Sequence, residues 1–194
     1  MHSRLSVLKL IVGLAVVGWL GGNALPAQAD VTGNVNVFLG AKGLDEDDWA
    51  PVDDQAEFAV EFDFRERAWP LNLVFGLRGA HDEEDRGGAT IESTTSELSL
   101  GVRKIWESTP YIRPFLGGGL ALMGAEAKGT GVFGTASSSD GGLGIWLGGG
   151  IYWTLTPHFN LGFDLRVSAA EVTIAGVDVE AGGAHLGLLL GYHF

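Results

Sequence analysis

Beyond residue 29 the sequence carries four histidines, His81, His158, His185 and His193, and it has no cysteine. A hydrolytic or acyl-transfer reaction would need a Ser hydroxyl activated by a His, with a carboxylate to orient the imidazole. No His-x-Ser pairing occurs beyond residue 29, so no catalytic residue and no cofactor are expected. Two acidic runs could do different chemistry: DEDDWAPVDD (Asp45, Glu46, Asp47, Asp48, Asp53, Asp54) and HDEED (Asp82, Glu83, Glu84, Asp85). Clustered carboxylates suit hard cations such as Ca²⁺ or Mg²⁺, but the spacing does not match an Asp-x-Asp-x-Asp-Gly calcium loop. The expectation is solvated loop charge and no metal site, with divalent bridging to lipopolysaccharide phosphates as the weaker alternative.

A third set of charges recurs with a period of two. AEFAVEFDFR carries Glu57, Glu61, Asp63 and Arg65; LNLVFGLR carries Arg78; ELSLGVR carries Glu97 and Arg103. TPYIRPFLGGGLAL adds Arg113, and FNLGFDLRV adds Asp164 and Arg166, giving five charges of each sign. Each alternates with large apolar residues, as Glu57 and Glu61 do with Phe58, Val60, Phe62 and Phe64. Alternation of this kind is a strand with an apolar face and a charged face. Adding 31–43, 111–123, 142–154 and the closing HLGLLLGYHF of 185–194 gives eight such segments.

Two architectures accommodate the pattern. In a soluble sandwich the apolar faces meet and the charges face water. In a membrane barrel the apolar face meets lipid and the polar face lines the lumen. The connections discriminate. RERAWPLN, KIWESTPY and YWTLTPHF are very short, whereas GLDEDDWAPVDDQ, GAHDEEDRGGAT, GAEAKGTGVFGTASSSDGG and SAAEVTIAGVDVEAGG are long and polar. Short turns at one end and long loops at the other is the outer-membrane arrangement, with the short turns periplasmic. Trp69, Trp106 and Trp153 each sit at a short turn, with Tyr111 beside them and Tyr192 and Phe194 at the matching end of the last segment. Six aromatics at one height form an interfacial girdle. Lys104, nominally on the lipid row, is near enough to that interface to snorkel.

The opening MHSRLSVLKLIVGLAVVGWLGGNALPAQAD places Arg4 and Lys9 before an apolar run of about 11 residues and an Ala27-Gln28-Ala29 site. That is the pattern of a secretory signal peptide over 1–29, too short to span a bilayer as a helix. The barrel domain is then 30–194, and losing Arg4 and Lys9 leaves 10 basic against 24 acidic residues, a net charge of −14. So acidic a chain argues against a nucleic-acid partner. No mature segment is apolar enough for a membrane-spanning helix.

GLLLGYHF, TPYIRPFLGGGLAL and GGGIYWTLTPHFNLGFDLRVS together resemble the small eight-stranded outer-membrane barrels, the OmpA/OmpX and opacity-type group. The resemblance covers the whole mature chain and implies an all-β, eight-stranded up-and-down antiparallel transmembrane β-barrel in the cell outer membrane. It implies that the C-terminal aromatic strand is read by the barrel assembly machinery, and no periplasmic domain is expected after the barrel. The expected partners are outer-membrane lipids and lipopolysaccharide, with a surface ligand the sequence does not name, and the barrel is expected to be a monomer. Barrels of this size include lipid A acyltransferases and deacylases, which need their Ser, His and acid near the outer leaflet. His158 and His193 fall at the opposite end, and His185 points inward near the top of the last strand. The expectation is therefore a non-enzymatic protein of envelope structure and surface interaction, with a small pore or a lipid A-modifying enzyme as alternatives. Opposed lumen charges should pair into a plug, since eight strands leave an interior that side chains fill. The inward glycines Gly117, Gly119, Gly148 and Gly150 are expected to leave room for water or for Trp146 and Tyr152. Gly162→Ala on the lumen row is expected to cost much less than Arg at Leu161 or Phe163 on the lipid row.

Overall fold

The computed structural model describes residues 31–194; the expected signal peptide of 1–29 lies outside the described residues. Eight long strands are β1 (Val31–Gly43), β2 (Asp54–Glu66), β3 (Asn72–Arg86), β4 (Ala89–Ile105), β5 (Ile112–Gly131), β6 (Gly134–Thr154), β7 (Phe159–Ala169) and β10 (Gly183–His193). They close a barrel in the ring order β1-β10-β7-β6-β5-β4-β3-β2, every neighbour antiparallel. A separate hairpin, β8 (Glu171–Ile174) with β9 (Val177–Glu180), and one helical turn, α1 (Glu46–Trp49), lie in the connections. The ring closes between the first and last strands, Val37 opposite Leu190, and Gly33 and Phe194 exchange both backbone hydrogen bonds at 3.0–3.1 Å. Closure leaves no open edge, the condition for crossing lipid with strands.

The two faces sort as the alternation requires. Leu39, Phe62, Leu100, Leu122, Leu161 and Leu188 are exposed on the outside, while Glu57, Glu61, Arg103, Asp164 and Arg166 are buried within. A soluble sheet does the opposite, so this exterior is built for hydrocarbon. At one end, here the turn end, three short links join β2–β3, β4–β5 and β6–β7. Trp69, Trp106, Tyr111, Trp153, Tyr192 and Phe194 are all exposed there. Lys104 bends to this end and donates its Nζ to the carbonyl of Pro70 at 3.0 Å.

The opposite, loop end departs from the expectation of four long loops. The runs expected as the second and third loops are continued strand: β3 pairs with β4 as far as Arg86 opposite Ala89, and β5 with β6 as far as Gly131 opposite Gly134. Their tips are the pairs Gly87-Gly88 and Val132-Phe133. Gly87 and Gly88 both take positive φ, 59° and 90°, which a tight hairpin turn of this hand demands. The HDEED run is therefore strand, not loop. Apolar contrast vanished there because a strand that has left the lipid has water on both faces.

The other two connections fold onto each other. In the first, Asp45 caps α1 by accepting the Asp47 N–H at 2.9 Å, so the acidic run sits favourably at a helix N-terminus. Trp49 is buried in a cluster with Val172 of β8, Val179 of β9, Ala181, and Ala125 of β5. Its indole N–H donates to the Glu180 carbonyl at 2.7 Å, and the Glu180 N–H donates to Asp48 at 2.8 Å. In the ring β5 lies opposite β1, so this cluster spans the mouth as a cap.

Candidate functional site

Beneath the cap the lumen is filled in layers. The uppermost is polar and neutral apart from one cation. Lys42 donates to Thr95 Oγ1 at 3.1 Å and to the Ala181 carbonyl at 2.7 Å, tying β1 to β4 and to the cap. Gln55 donates to Ser93 at 2.9 Å and accepts from Thr95 at 2.7 Å. Side chains on alternate residues of one strand occupy successive heights, so each layer takes one residue from each of several strands.

The middle layers hold the charges. Arg78 donates to Asp164 at 3.2 Å, and its guanidinium also lies 3.5 Å from Glu57 and 3.8 Å from Glu61, ion pairs without hydrogen-bond alignment. Arg166 pairs with Glu97. Arg103 donates to Glu61 at 2.5 Å and to the Tyr152 hydroxyl at 2.9 Å, with Asp63 at 3.5 Å. Asp63 also accepts from Asn34 at 2.8 Å and Asn72 at 2.6 Å. Each of these arginines packs against a ring as well: Arg78 over Phe38, Arg103 over Phe115 and Arg166 over Trp146, at 4.2–4.7 Å. A guanidinium has two faces and an edge, so a ring can take a face while carboxylates take the edge. Glycines admit the rings: a methyl on Gly150 would stand 2.6 Å from Phe115, one on Gly101 2.7 Å from Trp146, and one on Gly187 2.6 Å from Phe38.

The ten charges singled out in the sequence divide by position. Glu57, Glu61, Asp63, Arg78, Glu97, Arg103, Asp164 and Arg166 are buried in this network. Arg65 and Arg113 are only part-buried at the turn end: Arg65 donates to the Trp69 carbonyl at 2.8 Å, and Arg113 to Asn160 at 2.5 Å. Five contributors went unassigned in the sequence: Lys42, Phe38, Phe115, Leu189 and Ser168. Lys42 is a fully enclosed cation, and the row Asn34, Asn36, Phe38, Gly40, Lys42 on β1 carried the alternation that reveals it. Phe38, Phe115 and Leu189 are apolar yet face inward, clustered with Tyr152 and Ala59. Ser168 lies 2.8 Å from Nε2 of the buried His185, whose Nδ1 lies 3.0 Å from both Glu57 oxygens. Register alone brings these three together: Ser168 on β7 and His185 on β10 are on adjacent strands, but Glu57 on β2 reaches across β1. With the Nδ1 proton donated to the carboxylate, Nε2 is left to accept from the serine hydroxyl. Among the described residues no group of three or more His, Cys, Asp or Glu side chains could hold a metal ion.

A closed eight-strand ring with a lipid-facing exterior and a paired, charged interior is the architecture of the small outer-membrane barrels. No family model matches the sequence, and no curated protein matches it. Solved structures do match in fold. Ail, the attachment invasion locus protein of Yersinia pestis, in complex with the heparin analogue sucrose octasulfate, is 16% identical with a TM-score of 0.61, over 85% of this chain and 99% of Ail. A major outer membrane protein from Thermus thermophilus is 16% identical with a TM-score of 0.59, over 84% of this chain and 99% of that protein. Neisserial surface protein A is 13% identical with a TM-score of 0.51, over 85% and 97%. The chain has the fold of the small eight-stranded outer-membrane β-barrels.

Proposed function

We propose that this chain is a non-enzymatic, monomeric barrel of the outer membrane whose lumen is a sealed plug and whose loop end is a surface for interaction outside the cell. The observation that carries this reading is the lumen itself: eight charged side chains, four per cent exposed or less, are paired inside a ring with an apolar exterior. Pairing offsets the desolvation that would otherwise draw in water, so the packed arrangement is the stable one. The aromatics at the turn end anchor the barrel at the periplasmic interface, and the apolar row of β10, from Leu186 to Tyr192, is what the assembly machinery reads. Two connections seal the mouth while the β3–β4 and β5–β6 hairpins project beyond it, the second ending in the exposed Val132 and Phe133. Their partners are lipopolysaccharide and a surface ligand.

The sequence has no cysteine, so a single Phe133→Cys variant can be labelled cleanly. A membrane-impermeant maleimide should label it on intact cells. Labelling only after lysis would overturn the orientation. Planar-bilayer recordings of the refolded barrel should show no steady, large unit conductance; such conductance would promote the pore.

One observation favours a second reading. The Ser168–His185–Glu57 relay is the arrangement in which a base activates a hydroxyl for acyl transfer. Against it, Glu57 is shared with Arg78 and the cap lies above. A fluorophosphonate probe should leave the folded barrel unlabelled; labelling that is abolished by Ser168→Ala would establish a nucleophile.

A further inference from the structure

The turn end of the lumen opens into a cavity of about 390 Å³ lined by Arg65, Arg67, Arg113, Asn72, Glu107 and His193. Its charge balance differs from that of the layers above it. Higher in the lumen, Arg78, Arg103 and Arg166 each lie within 3.8 Å of a buried carboxylate. At the mouth Arg113 and His193 meet neutral groups instead. Arg113 donates to Asn160, and its buried Nε has no hydrogen-bond partner. His193 contacts Asn34 and Thr32. The carboxylate in the lining, Glu107, is 76% exposed and 3.8 Å from Arg65, a weak attraction in water. Asp63, a buried acid just above, is committed to Asn34, Asn72 and Arg103. Arg65 and Arg113 therefore face one small space, beside the His193 imidazole, in a chain whose net charge is −12.

A cluster of guanidiniums in a partly enclosed mouth is a site for a bidentate oxyanion. Arg67 and Glu107 lie close in the chain to Trp69 and Trp106 of the aromatic belt, so the cavity stands at the height of lipid headgroups. We propose that this vestibule binds a phosphate group, the chemistry shared by a phospholipid headgroup and free phosphate. The proposal rests on the barrel reading above, which sets the turn end at the inner face of the outer membrane.

The test uses the full barrel refolded in neutral maltoside micelles. Inorganic phosphate and glycerophosphoglycerol are titrated calorimetrically, and native mass spectrometry follows phosphatidylglycerol carried over from nanodiscs. Arg65→Gln/Arg113→Gln should weaken binding at least about tenfold, the effect of losing charge-assisted hydrogen bonds. Arg86→Gln, at the far end, should change nothing. Heat-modifiable mobility checks folding, and Arg65→Gln alone, at a half-buried rim position, serves if the double variant does not refold. Binding in all three arms assigns the site to phosphate itself; binding of the lipid alone assigns it to a headgroup. No binding in any arm, or equal binding by the variant, overturns the proposal. Phosphate binding together with failed surface labelling at Phe133 would keep the vestibule and discard the orientation.

Discussion

Arg103 and Trp49 each sit in a sealed interior of the same molecule, and the two interiors have opposite chemistry. The lumen around Arg103 is held by carboxylates, amides and a phenol, with rings packed on guanidiniums. The cap around Trp49 is held by valines and alanines. The reason is what lies outside each. The cap stands in water, so burying Trp49, Val172 and Val179 gains about 25 cal/mol for each Å² of apolar surface removed from it. A barrel strand has two faces and lipid claims the apolar one, which leaves the second face to the lumen. Polar groups enclosed there are costly unless every one finds a partner. Specific pairing thus takes the place in the lumen that apolar burial takes in the cap.

Four changes would break or sharpen that contrast. The largest effect should come from Arg103→Ala, which strands Glu61 and Asp63; about 3–5 kcal/mol of barrel stability should be lost, read by urea unfolding in lipid vesicles. Adding Glu61→Gln should recover part of it, and no recovery would mean that pairing is not what holds the lumen. Leu161→Arg, on the lipid face, should cost about 2–4 kcal/mol in the same assay. Trp49→Ala should behave differently in kind. The barrel midpoint should stay in place while the cap loses about 2 kcal/mol locally, so that amide exchange over 171–180 accelerates. A matching fall in the barrel midpoint would show that cap and lumen form one cooperative unit.

The smallest effect lies at the rim. The Thr173 N–H donates to Asp140 at 2.8 Å, and this bond, with a second from the Gly141 backbone, holds the Asp140 carboxyl below its ordinary range. A carboxylate lowered in the folded state adds stability above its unfolded pKa, and that stability is lost as pH falls through the folded value. Acidification below the ordinary carboxylate range should therefore loosen β8 from β6, seen as faster exchange at Thr173. Asp140→Asn should largely remove the pH dependence.

Much of the barrel was legible because lipid imposes a strict period of two. Phe58 to Arg65, Leu71 to Arg78 and Phe159 to Val167 alternate, with only Ala59 and Val74 apolar on the inward row, and the alternation says which face of each strand is apolar. Where water replaces lipid the signal fades, which is why His81 to Asp85 and Ala125 to Thr130 read as loop yet are strand. Gly162 shows the same limit in packing. A methyl there would stand 3.0 Å from Tyr152 and 3.2 Å from Leu189, so these neighbours would have to give by a few tenths of an ångström to admit it, a detail no alternation carries.

Residue order alone determined the barrel strand count and the two faces of each strand, because both depend on neighbours two residues apart. Only the closed ring decided the partners. Ser168, His185 and Glu57 come from three strands, Arg103 meets Glu61 across 42 residues, and Trp49 meets Glu180 across 131. Such meetings depend on the stagger between strands and the closure of β1 on β10, and no local period encodes either.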